Sequence, residues 1–181
     1  MTLLNRNPET LDLLQSTKFR VTFDFLPGMT YFCQTANIPG VSLTEIIRPT
    51  PFVDLYHAGE KLVYDTLNIT FLVDEELRSW TEIHDWIRGL TFPTDFKEYV
   101  NLKNNSKINN SRIPTLAEKP QYSSAILSLY TNKNNTNFRV KFVDIFPTSL
   151  STIILSTLDT AENIITADAT FRFSYYDYER I

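Results

Sequence analysis

With 181 residues, 43% of them hydrophobic, the chain is long enough for one domain with a sizeable core, taken here as residues 1–181. Its net charge of −4 argues against a protein that grips nucleic-acid phosphates, which requires clustered Lys and Arg. Only 4 Gly leave no room for a phosphate cradle, the single Cys33 excludes an internal disulfide, and no apolar run is long enough for a membrane span.

The N-terminal stretch MTLLNRNPETLDLL lacks a signal-peptide profile, which predicts a protein used without Sec export. Pro8 to Gln15 reads as a short helical turn with Leu11, Leu13 and Leu14 apolar. Phe19, Val21, Phe23 and Phe25 then alternate with Lys18, Arg20, Thr22 and Asp24, a half-buried strand. Pro27-Gly28 offers a tight connection to Tyr31, Cys33 and Thr35, so Lys18 to Asn37 reads as a β-hairpin.

Pro39-Gly40 supplies the next turn, with Gly40 available for positive φ. Val41, Leu43, Ile46 and Ile47 follow as an apolar strand, which Pro49 and Pro51 interrupt because each lacks a backbone donor. After a long loop, Leu67, Ile69, Phe71 and Val73 alternate with Thr66, Asn68 and Thr70, a second half-buried strand. It runs into a helix over about residues 75–89. Asp74 is the expected N-cap, Glu75 and Glu76 face the positive helix end, and Gly89 is the expected stop. Leu77, Trp80, Ile83, Trp86, Ile87 and Leu90 form its apolar stripe; Arg78, Glu82, Asp85 and Arg88 form the other side. The helix therefore has a core of Leu77, Trp80, Ile83, Trp86 and Ile87 to pack against an antiparallel sheet.

From about residue 92 to 121 periodicity disappears and an Asn/Lys/Ser tract takes over, an irregular insertion that is either a surface excursion or a loop ordered by a neighbouring subunit. Ala125–Tyr130 is a strand, Asn132 to Asn135 a hairpin turn, and Phe138, Val140 and Phe142 mark the returning strand. A phase shift at Val143 and Ile145 implies a bulge, and Pro147 the strand's end. Ser151 to Leu155 is a short strand candidate. The last strand runs from Ile165 to Tyr175, with Thr166, Asp168 and Thr170 on its polar side.

Catalytic and metal motifs fail one by one. His57-x-x-Glu60 is followed by Lys61 rather than a second His, so no inverted zinc motif forms. His84 lies beside Asp85 on what reads as an ordinary helix surface. Cys33 falls on a strand, where a small buried thiol is usual. Trp80 and Trp86 at helical spacing are core residues sooner than a ligand platform. The Asn-x-Ser/Thr matches at Asn68, Asn104, Asn109 and Asn134 carry no meaning without export. No enzyme is visible, and no cofactor or metal is implied.

Three segments carry a resemblance: Ile38-Pro39-Gly40, Ala58-Gly59-Glu60, and Val73-Asp74-Glu75 ahead of the helix with its IHDWIRGL segment. Together with the closing VDIFPTSLSTII…FRFSYYDYE, they resemble the tail tube proteins of contractile-tailed bacteriophages of the T4 type, including baseplate-proximal tube initiator rings. That family is related in fold to the type VI secretion tube protein. The resemblance implies an α+β, mainly β subunit: an antiparallel β-sandwich or barrel-like fold with one flanking amphipathic helix and a long hairpin arm over about residues 41–61. It implies homohexameric rings that stack with neighbouring tube or baseplate rings inside sheath subunits, conducting DNA as passing cargo in the virion tail, assembled in the host bacterial cytoplasm. Phe52, Leu55, Tyr56, His57 and Gly59 would be the inter-subunit part of the arm, and Thr166, Asp168 and Thr170 candidates for the lumen face. The insertion is longer than a plain tube subunit needs, which points toward the initiator rings. The alternative is a monomeric β-sandwich binding module that recognises carbohydrate or protein through the Asn-rich loop.

Overall fold

The computed structural model of the chain describes residues 13–26, 28–91, 93–98, 100, 121–157 and 164–181. In chain order the elements are β1 (Phe19–Phe23), α1 (Met29–Phe32), β2 (Cys33–Ala36), β3 (Val41–Pro49), β4 (Asp54–Tyr64), β5 (Leu67–Leu72), α2 (Arg78–Thr91), β6 (Ser123–Tyr130), β7 (Thr136–Leu150), β8 (Thr166–Arg172) and β9 (Tyr175–Arg180). The fold is mainly β, with antiparallel sheets, as expected.

Seven strands form one hydrogen-bonded path, β1-β6-β7-β8-β5-β2, with β9 also on β7; β3 and β4 form a separate pair. The path is folded into two layers by β7. Its first part, Phe138 to Val143, pairs with β9 and with β6, while Phe146 to Leu150 pair with β8. One layer is therefore β1-β6-β7-β9 and the other β7-β8-β5-β2. At the corner Asp144 takes a φ of 55°, and β7 slips register between Phe142 and Ile145 against β6. This is the bulge that the phase shift implies, and bulges of this kind bend a strand.

Alternation fixes which side chains meet between the layers. Val21, Phe23, Ala125, Leu127, Val140 and Phe142 point inward from one layer; Leu67, Ile69, Phe71, Ala167, Ala169 and Phe171 do so from the other. The rings of Phe23 and Phe171 sit 5.0 Å apart across the interior. The helix α2 adds buried Ile83 and Trp86, with Trp80, Ile87 and Leu90 packed at the margin. Each indole N–H has an acceptor at 3.3 Å: Trp86 donates to the Gln121 carbonyl, Trp80 to that of Ser151. A buried indole without such a partner would carry an unsatisfied donor, so these bonds let the two Trp rings serve as packing.

Several boundaries differ from those expected. The Lys18–Asn37 hairpin does not form. Strand β1 pairs with β6, Phe19 opposite Leu129, and β2 pairs with β5, while Met29–Phe32 make a helical turn between them. Each strand finds a longer, better matched apolar partner elsewhere in the chain than in the other. Pro27 lies outside the described residues, as do residues 1–12 of the expected N-terminal turn; Leu13 and Leu14 are exposed and not helical.

The helix begins at Arg78, not after Asp74. Leu77 takes a φ of 55°, bonded from its N–H to the Asp74 carbonyl, and is exposed, so it is no part of the helix core. Glu75 and Glu76 lie in the preceding turn, outside the first helical turn. Asp74 still caps, since its carboxylate accepts from the Ser79 N–H at 3.4 Å. Gly89 is buried within the helix, which runs on to Thr91. Pro147 is likewise buried inside β7: it falls at a second register slip, against Phe171, where the missing N–H costs the ladder nothing regular. Ser151 to Leu155 is not a strand, and the expected last strand is two, β8 and β9, broken at Phe173-Ser174. Of the insertion, residues 92, 99 and 101–120, with Asn104 and Asn109, lie outside the described residues.

Candidate assembly surfaces

The residues expected to carry chemistry come apart in space. His57 is exposed on β4, with Ile46 opposite it. His84 stands 3.5 Å from Asp85 on the exposed side of α2 and stacks on Trp80. The Cys33 thiol is half-buried, and that burial pushes its pKa up to about 11, so it carries almost no thiolate at neutral pH. Among the described residues, no cluster of three or more His, Cys, Asp or Glu is placed to hold a metal ion.

The arm is built differently from the rest of the molecule. Among the described residues strands β3 and β4 pair only with each other, joined by a turn over Thr50 to Val53 in which Pro51 occupies the position its fixed φ suits. The Thr50 hydroxyl bonds the Val53 carbonyl and accepts from the Val53 N–H at 3.2 Å, locking the tip. What the residues alone suggest as a long loop after Pro49 is thus a regular strand, as the hairpin arm of the resemblance implies. Every residue of β3 is exposed, and Phe52 at the tip is 98% exposed.

The apolar side chains of the arm do not share a face. Leu55 lies opposite Arg48 and His57 opposite Ile46 on one side; Tyr56 lies opposite Ile47 on the other. The proposed anchors Leu55 and Tyr56 therefore point in opposite directions. Gly59 sits where the register slips past Thr44, and a Cβ there would strike the Thr44 carbonyl and hydroxyl oxygens. Only a residue without a side chain lets the two backbones approach at that point.

The base of the arm is fixed to the sandwich by residues that the sequence pattern does not mark. Asn37 donates to the Thr66 carbonyl at 3.0 Å and accepts from the Asn68 N–H at 2.6 Å. The Tyr176 hydroxyl donates to the Pro39 carbonyl at 3.3 Å, and the Arg172 guanidinium donates to that of Tyr64 at 3.2 Å. Tyr64 also packs on Phe173 and Tyr176, rings 5.5 and 5.1 Å away. An Asn before Ile-Pro-Gly and a run of aromatics at the C-terminus were the available signals, but nothing local joins positions over a hundred residues apart.

Thr166, Asp168 and Thr170 do come together, on the outward side of the second layer. They lie opposite Leu72, Thr70 and Asn68 of β5, and the Thr70 hydroxyl donates to the Asp168 carboxylate at 2.6 Å. The Asp168 N–H donates to the Ser151 hydroxyl at 2.7 Å. This gives a face of small polar side chains, with Leu72 at one end and one carboxylate near its centre.

Against known proteins, the profile of the phage tail tube protein family matches residues 10–179. The chain belongs to the phage tail tube protein family. It is 22% identical to the tail tube terminator protein of Enterobacteria phage T4 over 156 residues, spanning 84% of this chain and 80% of that protein. Its fold is similar to that of a chain in the six-fold symmetrised baseplate of the anti-feeding prophage, with a TM-score of 0.63, 11% identity and coverage of 94% and 98%. It is similar also to the tube-terminating cap of the anti-feeding prophage, at 0.60 and 14%, with all of both chains covered. The protein is thus a structural component of phage tails of the tail tube type, as the sequence motifs imply.

Proposed function

We propose that this tail tube protein forms homohexameric rings that stack through the β3–β4 arm and conduct DNA through a channel as the genome leaves the virion. The arm carries the reading. A two-stranded hairpin is marginal in water on its own, yet this one exposes Ile46, Ile47, Phe52, Leu55 and Tyr56. Each such side chain contributes about 1.5–3 kcal/mol when transferred from water into a neighbour's surface. Apolar groups on both faces suit an element held between two neighbours.

The sheet edges support ring closure. In the second layer β2 lies at one edge and the distal part of β7 at the other, so a neighbour's strand can pair with each and leave no open edge. The Thr166, Asp168 and Thr170 face would then line the channel, its carboxylate repelling DNA instead of holding it. Sheath subunits would surround the rings, and assembly would precede lysis, in the host cytoplasm.

A second reading has its own support: the T4 relative is a tube terminator, which favours a ring placed at one end of the tube. Electron microscopy of purified protein across a range of concentrations separates these. Tubes of indefinite length indicate a tube-body subunit; six-fold rings that stop at one or two layers indicate an end ring, terminator or initiator. Small particles without symmetry would sink the ring reading and leave a monomeric binding module.

A further inference from the structure

The two edges of the first layer are unlike. On β1 the even residues hold the ladder to β6: the Lys18 carbonyl accepts from the Tyr130 N–H at 2.9 Å, and the Asp24 N–H donates to the Ser124 carbonyl at 3.2 Å. Val21 and Phe23 therefore turn their backbone groups outward, yet they are only 1% and 3% exposed, so that edge is covered. The edge at β9 is open. Its Ile181 N–H donates to the Asn137 carbonyl at 3.0 Å, and Glu179 and Asp177 lie opposite Arg139 and Lys141, so the odd residues hold the ladder to β7. The N–H and C=O groups of Tyr176, Tyr178 and Arg180 point away from β7, and among the described residues no other strand pairs with β9. Tyr176 is half-buried at the base of the arm; Tyr178 and Arg180 are exposed, Tyr178 at 72%.

The side chains of β9 divide between two surfaces. Tyr178 lies opposite buried Val140 on the core side, where the second layer leaves it uncovered, and stacks on Phe138 with ring centres 5.7 Å apart. Asp177 and Glu179 lie on the outer side. The Lys141 ammonium is turned to Glu179 at 2.7 Å, and its hydrogen bond holds that carboxyl below the usual carboxylate range. Asp177 has no ion pair among the described residues.

We propose that the open edge of β9 binds an extended segment of a different protein by strand addition, a segment with basic side chains on either side of an apolar one. The apolar residue lies opposite Tyr178 and the two cations opposite Asp177 and Glu179. Main-chain bonds to Tyr178 and Arg180 hold the segment, and its alternate side chains select it. A second copy of this chain does not supply such a strand. Laid against itself, β9 would set Asp177 and Glu179 against the same carboxylates. Lys18-Phe19-Arg20 of β1 has the pattern, but its edge is closed at Val21. Cys33–Ala36 of β2 and Phe146–Leu150 of β7 carry no charge. The contact is small against the ~800 Å² per partner of a standard interface, so the segment exchanges readily. The ring contacts proposed above use β2 and the distal part of β7, not β9, so the two readings fail separately.

The test uses full-length protein and a fluorescently labelled peptide of alternating Lys and Val, with binding read by anisotropy and by amide exchange. Binding is expected, with exchange at the Tyr178 and Arg180 N–H groups slowed. Methylating the Val nitrogens, which face β9, is expected to abolish it, while methylating the Lys nitrogens, which face away, is not. Asp177→Lys with Glu179→Lys should weaken this peptide about tenfold and admit a peptide of alternating Glu and Val instead. Tyr178→Pro removes a donor that β7 does not use, so melting should hold while affinity falls. No binding would overturn the proposal. So would equal effects of the two methylations, or equal binding of a peptide with its Lys and Val in separate blocks, since either means charge attraction without a strand. If Tyr178→Pro disperses particles of the protein alone, a second copy occupies the edge and the proposal is equally overturned.

Discussion

The sandwich and the arm come from one chain and obey opposite rules. In the sandwich, large side chains such as Phe71, Phe142 and Phe171 are fully buried. In the arm the large side chains are the exposed ones, and Tyr64, at the root, is the only one of its β4 aromatics that is even partly covered. The sandwich answers to its own stability. The arm lies outside that core, and on the proposed reading its exposed apolar residues meet a surface outside the monomer.

The widest gap between the two regions should appear on removing a ring from each. Phe171→Ala empties the centre of the core and is expected to cost ~3–5 kcal/mol in chemical denaturation, whereas Phe52→Asp with Leu55→Asp should change stability by less than ~0.5 kcal/mol and yet block stacking. If assembly survives that double change, the arm assignment is wrong. Gly59→Val comes next: the strands cannot close past Thr44, so stacking is expected to fail with the sandwich's melting unchanged, a pairing that thermal denaturation and microscopy check together. Tyr176→Phe removes the hydroxyl bond to Pro39 and is expected to cost ~1 kcal/mol, seen as faster amide exchange confined to Asn37–Val41 and the strand ends beside it. The smallest effect concerns Cys33. With its pKa moved from 9.0 to about 11 by burial, the thiolate fraction at pH 8 is about a hundredfold below that of an exposed thiol. Alkylation of the folded protein should therefore be slow and continue to speed up past pH 9, and a rate that levels off near pH 9 would contradict the burial.

What could be read ahead of the structure was whatever repeats with a short period. The alternation of Leu67, Ile69 and Phe71, the helical stripe of Trp80, Ile83 and Trp86, and the turn near Asn134 are local facts and hold. The Lys18–Asn37 hairpin fails because alternation says that a strand exists and not which strand it meets. The helix start fails because Asp74 is a good cap at a distance: its carboxylate reaches Ser79 past a Leu77 that turns into positive φ, and no residue preference announces Leu there. Pro147 and Gly89 are each usual stop signals overridden by packing. Of the candidate assembly surfaces, the arm was legible only through the family motifs, and its opposed faces needed the register. Ser151 to Leu155 reads as a strand because β-branched and apolar residues look alike whether or not a neighbouring strand meets them.

The pairing of β1 with β6 also sets a clock. Phe19 meets Leu129, so strand β1 has no β6 partner until more than half of the chain has followed it. Such long-range contacts fold slowly because a large loop must close before any bond repays it. During translation β1 waits as an unpaired apolar strand, while β3 and β4 close early as neighbours. A nascent chain therefore completes the hairpin arm before its body is finished. Premature association in a crowded polysome is then a hazard for this architecture, and slow translation through residues 19–129 would lengthen it.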